Sequence, residues 1–263
     1  NAGLVRAEHN NYKFYTTGQR AIKTVSQSLA DLVLSNSQST YRSMEAWRKR
    51  LLGSRWKVVH NGVDVERIDQ LASVTPPFSS QFEGVTIGSV GRLVTQKNYV
   101  RFIKAFAEVV NRTEWNVRFV LIGDGDQRDS IRAEIGRLGL NGDVIMVGEV
   151  DRDTVYAALH RFDLFVVPSL WEGFCNAAVE AMAAGLPILC SDIQTLHEVV
   201  GEEATYVDPK TPEQMANALL ELIKQGPEEW KRRGENARRR AFKHFTVQRT
   251  AEAYAESYLE VAH

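Results

Sequence analysis

Two glutamates, Glu172 and Glu180, stand in WEGFCNAAVE with seven residues between them, just after the apolar run FDLFVVPS (162–169). That run reads as a buried strand, and AMAAGLP after Glu180 reads as a short helix closed by Gly185 and Pro187. A strand that ends in a polar elbow and enters a helix is how open α/β sheets build ligand sites at strand C-termini. One glutamate falls in the elbow and the other on the helix, so both can face one crevice. Two carboxylates there suit the hydroxyls of a sugar and of a ribose.

Other elbows point the same way. SVGRLVTQKN leaves Gly91 and Arg92 at a strand end and Lys97 just before a helix start. A guanidinium and an ammonium beside free helix N–H groups form a clamp for a diphosphate. The plainer reading is a surface arginine and lysine with a glycine for the turn. LIGDGDQR carries Gly123 and Gly125, which let backbone approach a ligand closely. Its Asp124 and Asp126 imitate a D-x-D metal motif, but D-G-D is also ordinary turn chemistry, and no metal is expected. Asn176 reads as an N-cap that frees the N–H groups of Ala177 and Ala178 for a phosphate. Glu180 lies four residues past Asn176 rather than three, which does not fit a capping box. Singly, Glu180 is a favourable charge near a helix start and Glu172 a solvated loop acid. The pair, together with Arg92 and Lys97 in the same sheet, favours a site.

The elements that must carry these groups are legible by pattern. Residues 3–8, 31–37 and 57–62 read as strands, with helices over 15–29 and 38–52. Residues 65–84 carry paired prolines and serines without clear periodicity and read as a linker. From residue 85 the alternation is regular: VTIGSVG, VRFVLIG, DVIMVGEV and FDLFVVPS precede helices over 98–111, 127–138, 152–161 and 176–184. PILCSD then precedes a short polar turn, and the chain is helical from Pro212 onward. Near-continuous apolar strands between helices indicate an α/β fold with a parallel sheet covered on both faces.

Composition bounds the function. A chain of 263 residues, 44% hydrophobic and 25% charged, can bury a sizeable core as one large domain or two modest ones. A formal net charge of −1 argues against a nucleic-acid partner. No apolar run reaches membrane-spanning length and no signal peptide is visible, so a cytoplasmic setting is expected, with the inner face of the cell membrane as a variant. Cys175 and Cys190 lack metal-ligand spacing and read as reduced thiols. The chain starts at Asn1, inside a strand pattern, and is expected to be a fragment.

In order along the chain, GRLVTQKN, LIGDGDQR and PSLWEGFCNAAVEAMAAGLPILCSD resemble the C-terminal domain of retaining glycosyltransferases of family 4, which have the GT-B fold. VVHNGVD (58–64) is similar to the family's segment at the end of the N-terminal domain. The resemblance runs from about residue 6 to the end of the chain and implies two Rossmann-like domains across a cleft. Residues 1–64 would be the last part of the acceptor-side domain, 65–84 the linker, 85–244 the nucleotide-sugar domain, and 245–263 a helix crossing back. The upstream part of the first domain, roughly 100 residues, would be missing, and with it much of the acceptor pocket.

Carried over by position, the resemblance gives Arg92 and Lys97 the donor diphosphate, which they would stabilise as leaving group. Glu180 would accept the ribose hydroxyls and Glu172 those of the transferred sugar. Gly91, Gly123 and the backbone of Gly173, Phe174, Cys175, Asn176 and Ala177 would line the donor, with the base near Gly148–Val150. His9 lies 52 positions before Asn61, about where the family keeps a histidine at the sugar crevice. A lone histidine near a chain start is otherwise incidental. Catalysis would fall to His9, Arg92, Lys97 and Glu172 by same-face attack, without metal or cofactor.

The resemblance thus implies transfer from a UDP- or GDP-sugar to a glycan or lipid-linked acceptor in cell-surface polysaccharide assembly, although the fragment alone could be inactive. A nucleotide-sugar epimerase, a storage-glucan synthase and a non-catalytic nucleotide-sugar-binding module are the competing readings. The basic stretch 41–57 contains Trp47 and Trp56 and suits an anionic membrane, or else a solvated helix face with its tryptophans packed inward. The second basic stretch, 231–245, reads as a solvated face.

Overall fold

The apolar runs become strands of two parallel sheets joined through a short helical connection. The structure, a computed structural model, describes residues 3–9, 12, 15–77 and 82–262. Asn10 and Asn11, next to His9, and residues 78–81 of the expected linker lie outside the described residues.

The first sheet pairs Val5–Glu8 (β1), Leu32–Ser35 (β2) and Trp56–Val58 (β3) in that order. Thr17–Ser28 (α1) connects the first two strands, and Gln38–Arg42 (α2) with Ala46–Leu52 (α3) connects the last two. Thr16 and Gln19 form a reciprocal capping box that starts α1. The single helix expected over 38–52 is broken in two. The Ser43 hydroxyl donates to the carbonyl of Thr40 at 2.6 Å, a local bond that competes with helix continuation, and Glu45 is extended.

Val65–Gln70 (α4) occupies the start of the segment expected to be a linker. Asp64 caps it, accepting from Arg67 N at 2.9 Å, and Val65 and Ile68 are buried. Their spacing is too short a run to register as a helical period.

The second unit runs Val85–Val90 (β4), Tyr99–Arg112 (α5), Val117–Ile122 (β5), Arg128–Arg137 (α6) and Val144–Gly148 (β6). Arg152–Leu159 (α7), Leu164–Val167 (β7), Asn176–Ala183 (α8) and Ile188–Ser191 (β8) follow. Gln194–Val200 (α9) and Thr205–Val207 (β9) complete the sheet. The segment after PILCSD, expected to be a short polar turn, holds α9 at residues 194–200. They form a helix because Leu196, Val199 and Val200 bury one stripe beneath a polar exterior.

All six strands are parallel, in the order β6-β5-β4-β7-β8-β9. The chain works outward from β4 to one edge, then returns to β7 at β4's other side. The crevice at the C-terminal ends of β4 and β7 is therefore the topological switch point, where such sheets bind ligands.

One face of this sheet is covered by α5, α6 and the first half of Pro212–His244 (α10). There Phe102 and Phe106 meet Phe119 with ring centroids 4.9 and 5.8 Å apart, each fully buried ring contributing about 2 kcal/mol. The other face is covered by α7, α8, α9 and the end of α10, through Ala237, Ala241 and Phe245. One helix serves both faces because it kinks at Gly226 (φ 77°) and Pro227, where the ladder lacks an N–H.

Val247–Ala262 (α11) then lies over the small sheet, with Ala253, Tyr254 and Val261 against Leu32, Leu34 and Val59. Its start passes so close to Gly62 that a Cβ there would meet the Thr246 carbonyl oxygen at 2.3 Å. Among the described residues no helix is long and apolar enough to cross a membrane.

The tryptophans of the first basic stretch behave differently from each other. Trp56 donates to Ser35 Oγ at 3.1 Å and packs on Tyr41, whereas Trp47 is 53% exposed under the guanidinium of Arg48. In the second stretch Arg240 is structural rather than solvated. It donates to the carbonyls of Glu198 and Val199 at 2.7 and 2.8 Å, closing the C-terminus of α9.

Candidate functional site

The elbow after β4 is stitched to its neighbours by backbone. Gly91 N donates to the Ile122 carbonyl at 3.0 Å, Leu93 N to that of Asp124 at 2.9 Å, and Gln127 N to that of Leu93 at 2.8 Å. Gly123 (φ 135°) sits so tightly under this loop that a Cβ would fall 2.1 Å from the Gly91 oxygen. Asn98 holds the far end in a left-handed conformation (φ 61°) that Asn tolerates. Its buried amide donates to the carbonyls of Pro168 and Pro209 at 3.0 and 2.7 Å. The loop that carries Arg92 and Lys97 is thereby fastened to the loop that carries Glu172.

Glu172 is 6% exposed. Its Oε1 receives the Lys97 ammonium and the Ser169 hydroxyl, each at 2.7 Å, and its Oε2 the Gln96 amide at 3.4 Å. Burial disfavours the Lys97 ammonium, but the carboxylate beside it outweighs that cost and leaves the lysine's pKa above its ordinary value. Arg92 is exposed and its guanidinium has no partner among the described residues. One cation of the elbow is thus committed to a carboxylate and the other is free.

The helix α8 starts differently from the expectation. Cys175, not Asn176, is the residue before the helix, in a left-handed conformation (φ 81°), and no side chain caps the end. Asn176 is the first helical residue, and its Oδ1 accepts from the Asn61 amide at 2.9 Å. The N–H groups of Gly173, Asn176 and Ala177 have no acceptor among the described residues, and these residues line the cavity beside the positive end of the helix. The N–H of Ala178, expected to be free, donates to the Cys175 carbonyl at 3.1 Å.

These groups surround a cavity of about 450 Å³ lined by Gly91, Arg92, Lys97, Glu172, Gly173, Phe174, Cys175, Asn176 and Ala177. His9, Asn36 and Asn61 close it from the small-sheet side. An adjoining cavity of about 440 Å³ shares Gly91 and Arg92 and continues past Gly123, Asp124, Glu149 and Val150. Its Asp124 accepts from Gly125 N at 2.7 Å and pairs with Arg128, so this carboxylate is held by its own turn. Those contacts keep its pKa below the usual carboxylate range. Gly148 (φ 88°), expected beside the base, is not among the lining residues; its carbonyl accepts from Gly123 N at 2.8 Å and so supports the turn behind the cavity.

Glu180 lies outside both linings, on the second turn of α8 beside the start of α7. It is 6% exposed, and its Oε1 lies 3.5 Å from Arg152. Among the described residues no hydrogen bond reaches its carboxylate. Burial pushes its pKa up and Arg152 opposes the rise. A buried carboxylate left without donors invites hydroxyl donors from a ligand.

The two sheets meet beside the cavity. Glu198 of α9 accepts from the N–H groups of Gln38 and Ser39 at 2.7 and 2.9 Å, and from His60 Nε2 at 2.8 Å. Thr195 Oγ1 lies 3.0 Å from the Glu172 carbonyl oxygen and 2.8 Å from Ser39 Oγ. His60 stacks on Phe174 and meets Phe245 edge-on.

Sequence reasoning missed Ser169, Gln96, Asn36, Asn61, Arg152, Thr195 and Glu198. Gln96, Ser169 and Asn61 had a signal, since each lies inside a motif already singled out. The others reach the site only through tertiary contact.

The sequence matches the family described as "Glycosyl transferases group 1" over residues 78–240. It is 32% identical over 168 residues to an uncharacterized glycosyltransferase of Methanocaldococcus jannaschii, covering 61% of this chain and 43% of that one. It is 30% identical over 207 residues to the glycogen synthase of Mycobacterium tuberculosis, covering 77% of this chain and 48% of that one. The chain therefore spans about half the length of the curated relatives it matches. In fold it resembles Anabaena HepE, solved with UDP and glucose, at a TM-score of 0.80 and 22% identity, covering 97% of this chain and 71% of that one.

Proposed function

Because the chain belongs to the group 1 glycosyl transferases, we propose that it forms the donor side of an enzyme that moves a sugar from a nucleoside-diphosphate sugar to a glycan or lipid-linked acceptor, with retention at the anomeric carbon. One observation carries this reading. Arg92, Lys97, Glu172 and the uncapped start of α8 converge on one cavity at the switch point of the sheet.

In this reading the diphosphate lies against Arg92, Lys97 and the N–H groups of Asn176 and Ala177. As the bond from the sugar to phosphate breaks, negative charge grows on the phosphate oxygen, and these preplaced positive groups stabilise it. Glu172 accepts hydroxyls of the transferred sugar, Glu180 those of the ribose, and the cavity past Val150 takes the base. The acceptor attacks from the face the phosphate leaves, and the departing phosphate takes the acceptor's proton. The paired-carboxylate scheme of retaining hydrolases does not suit this pair, since Glu172 is bound to Lys97 and Ser169 and Glu180 lies outside the cavity lining. His9 faces the same cavity from the acceptor side and is assigned to the sugar crevice.

UDP is the preferred donor nucleotide in this reading, on the likeness to HepE in complex with UDP. A lipid-linked acceptor would place the chain at the inner face of the cell membrane, meeting it through α3, where Trp47 and Leu51 are exposed beside Arg50.

The test is a thermal-shift panel of UDP, GDP, ADP and their common sugars on this chain and on Glu180→Ala. A ligand at about a hundredfold over Kd stabilises the folded state by about 2.7 kcal/mol. One nucleotide should shift the wild type, and Glu180→Ala should remove the shift. No shift with any of them, in a folded sample, refutes the donor site. For the whole enzyme, nucleoside diphosphate released only when acceptor is present distinguishes transfer from epimerisation.

A further inference from the structure

The donor-side reading gives Glu180 to the ribose, and the geometry around that residue goes further. Glu180 is buried on α8, yet no hydrogen bond reaches its carboxylate among the described residues. The only cation beside it there is Arg152, the first residue of α7, with Nη2 at 3.5 Å from Oε1. The arginine is itself 68% exposed at its side chain, and its guanidinium lies 5.8 Å from the ring centroid of Tyr156, one turn along α7. We propose that Arg152 is a positioning residue for the donor ribose: its guanidinium is the counter-ion that keeps the buried Glu180 carboxylate able to accept two ribose hydroxyls. This rests on the donor-site reading above.

The physical reason is the asymmetry of the pair. A carboxylate taken out of water without donors tends to hold its proton. A protonated Glu180 keeps one acceptor oxygen and gains a donor, so it matches a vicinal diol less well than the ion does. Burial drives Glu180 toward that state and Arg152 is what opposes it.

The neighbours do not supply a substitute. Tyr156 on α7 and Cys175 before α8 face Glu180, and burial raises both of their pKa values, that of Cys175 to about 12. Both stay neutral near pH 7. Asp64 and Asp153 stand near Tyr156 and are anionic partners of α4 and Arg67, so they add no positive charge.

The sign follows. Nucleotide binding that needs the ionised carboxylate is lost as pH falls through the raised Glu180 pKa. Removing Arg152 moves that loss to higher pH.

The experiment is calorimetric titration of UDP, GDP and ADP, which share the ribose diphosphate, into wild type, Arg152→Met, Arg152→Lys, Glu180→Gln and the Met/Gln double variant. The nucleotide that binds the wild type tightest is then followed at about pH 6 and about pH 8. Arg152→Met should bind about fivefold more weakly than wild type at the lower pH and within about twofold at the higher. Arg152→Lys should keep most of the affinity at both. In the Glu180→Gln background the Arg152→Met change should alter affinity by less than about twofold.

A loss that is the same at both pH values, or that persists in the Glu180→Gln background, overturns the proposal. It would mean that Arg152 touches the nucleotide itself or merely supports the fold. Those results leave the donor site standing, because nucleotide still binds and Glu180→Gln still weakens it. If no nucleotide binds the folded wild type, or Glu180→Gln binds as the wild type does, the donor-site reading falls and the Arg152 role falls with it.

Discussion

Lys97 Nζ lies 2.7 Å from Glu172 Oε1, so the group proposed to meet a diphosphate and the group proposed to meet a sugar neutralise each other. The pair is nearly closed to water, with side chains 14% and 6% exposed. In the proposed donor reading, a donor entering the cavity divides it: phosphate oxygens share the ammonium while sugar hydroxyls donate to the carboxylate. Until then the contact holds the loops after β4 and β7 together, beside the Leu170 N–H bond to the Gln96 carbonyl at 2.8 Å.

Removing one partner of such a pair should therefore cost fold as well as affinity. Lys97→Met leaves Glu172 buried beside Ser169 with no cation, and a loss of about 3 kcal/mol is expected at neutral pH. Adding Glu172→Gln removes the orphaned charge and should restore most of that stability without restoring donor binding. Urea unfolding of the two variants decides this. If Lys97→Met unfolds at the wild-type midpoint, the pair plays no structural part.

Gly123→Ala is expected to abolish nucleotide binding while leaving secondary structure intact. The added Cβ would meet the Gly91 carbonyl oxygen at 2.1 Å, in a backbone region costly for L-residues, so the elbow that carries Arg92 must shift. Circular dichroism and a nucleotide titration check the two halves of this expectation. Wild-type affinity in the variant would show that the loop can move without harm.

The Gly123 position also shows what was legible beforehand. Glycines at strand ends and the alternation of apolar runs are local patterns, and each landed on the structure within a few residues, whereas the Glu172–Glu180 spacing put one glutamate in the cavity lining and left the other outside it. The switch-point crevice follows from strand order, which no run of residues along the chain displays. The helix over 194–200 was missed because its buried stripe is only three residues, and α4 for the same reason. Asn176 was misplaced because an uncapped start with left-handed Cys175 has no composition cue. Glu198, Thr195 and Asn36 were invisible because their roles depend on contact between two sheets, which no window along the chain contains.

The two thiols should be inert in the folded chain. Cys175 and Cys190 are buried and unpaired, and burial raises the Cys175 pKa to about 12 and that of Cys190 well above its ordinary value. With so little thiolate, alkylation at about pH 8 should be at least a hundredfold slower than in urea-unfolded chain. Mass spectrometry after a timed iodoacetamide pulse reads both sites at once. Rapid labelling of Cys175 would show that the α8 start opens on that timescale.

The clasp between the sheets should leave its mark on acid stability. Burial alone would raise the Glu198 pKa, but the bond from His60 and the two from the N–H groups of Gln38 and Ser39 outweigh it, and the net shift is downward. A depressed carboxylate contributes stability that is fully present above its unfolded pKa, ordinarily 4.5, and lost as pH falls through the lower folded value. Glu198→Gln keeps the shape and one acceptor oxygen but not the charge. Charge-assisted bonds to a part-buried group support a difference of about 1 kcal/mol from wild type near pH 7. That difference should begin to narrow below pH 4.5 and close as the wild-type carboxylate takes up its proton at its lowered folded value. Unfolding free energies of both chains across this range make the comparison. A gap that stays constant down to the lowest pH would mean that the carboxamide NH2, set among N–H donors, causes the difference, and that the Glu198 charge does not hold the sheets together.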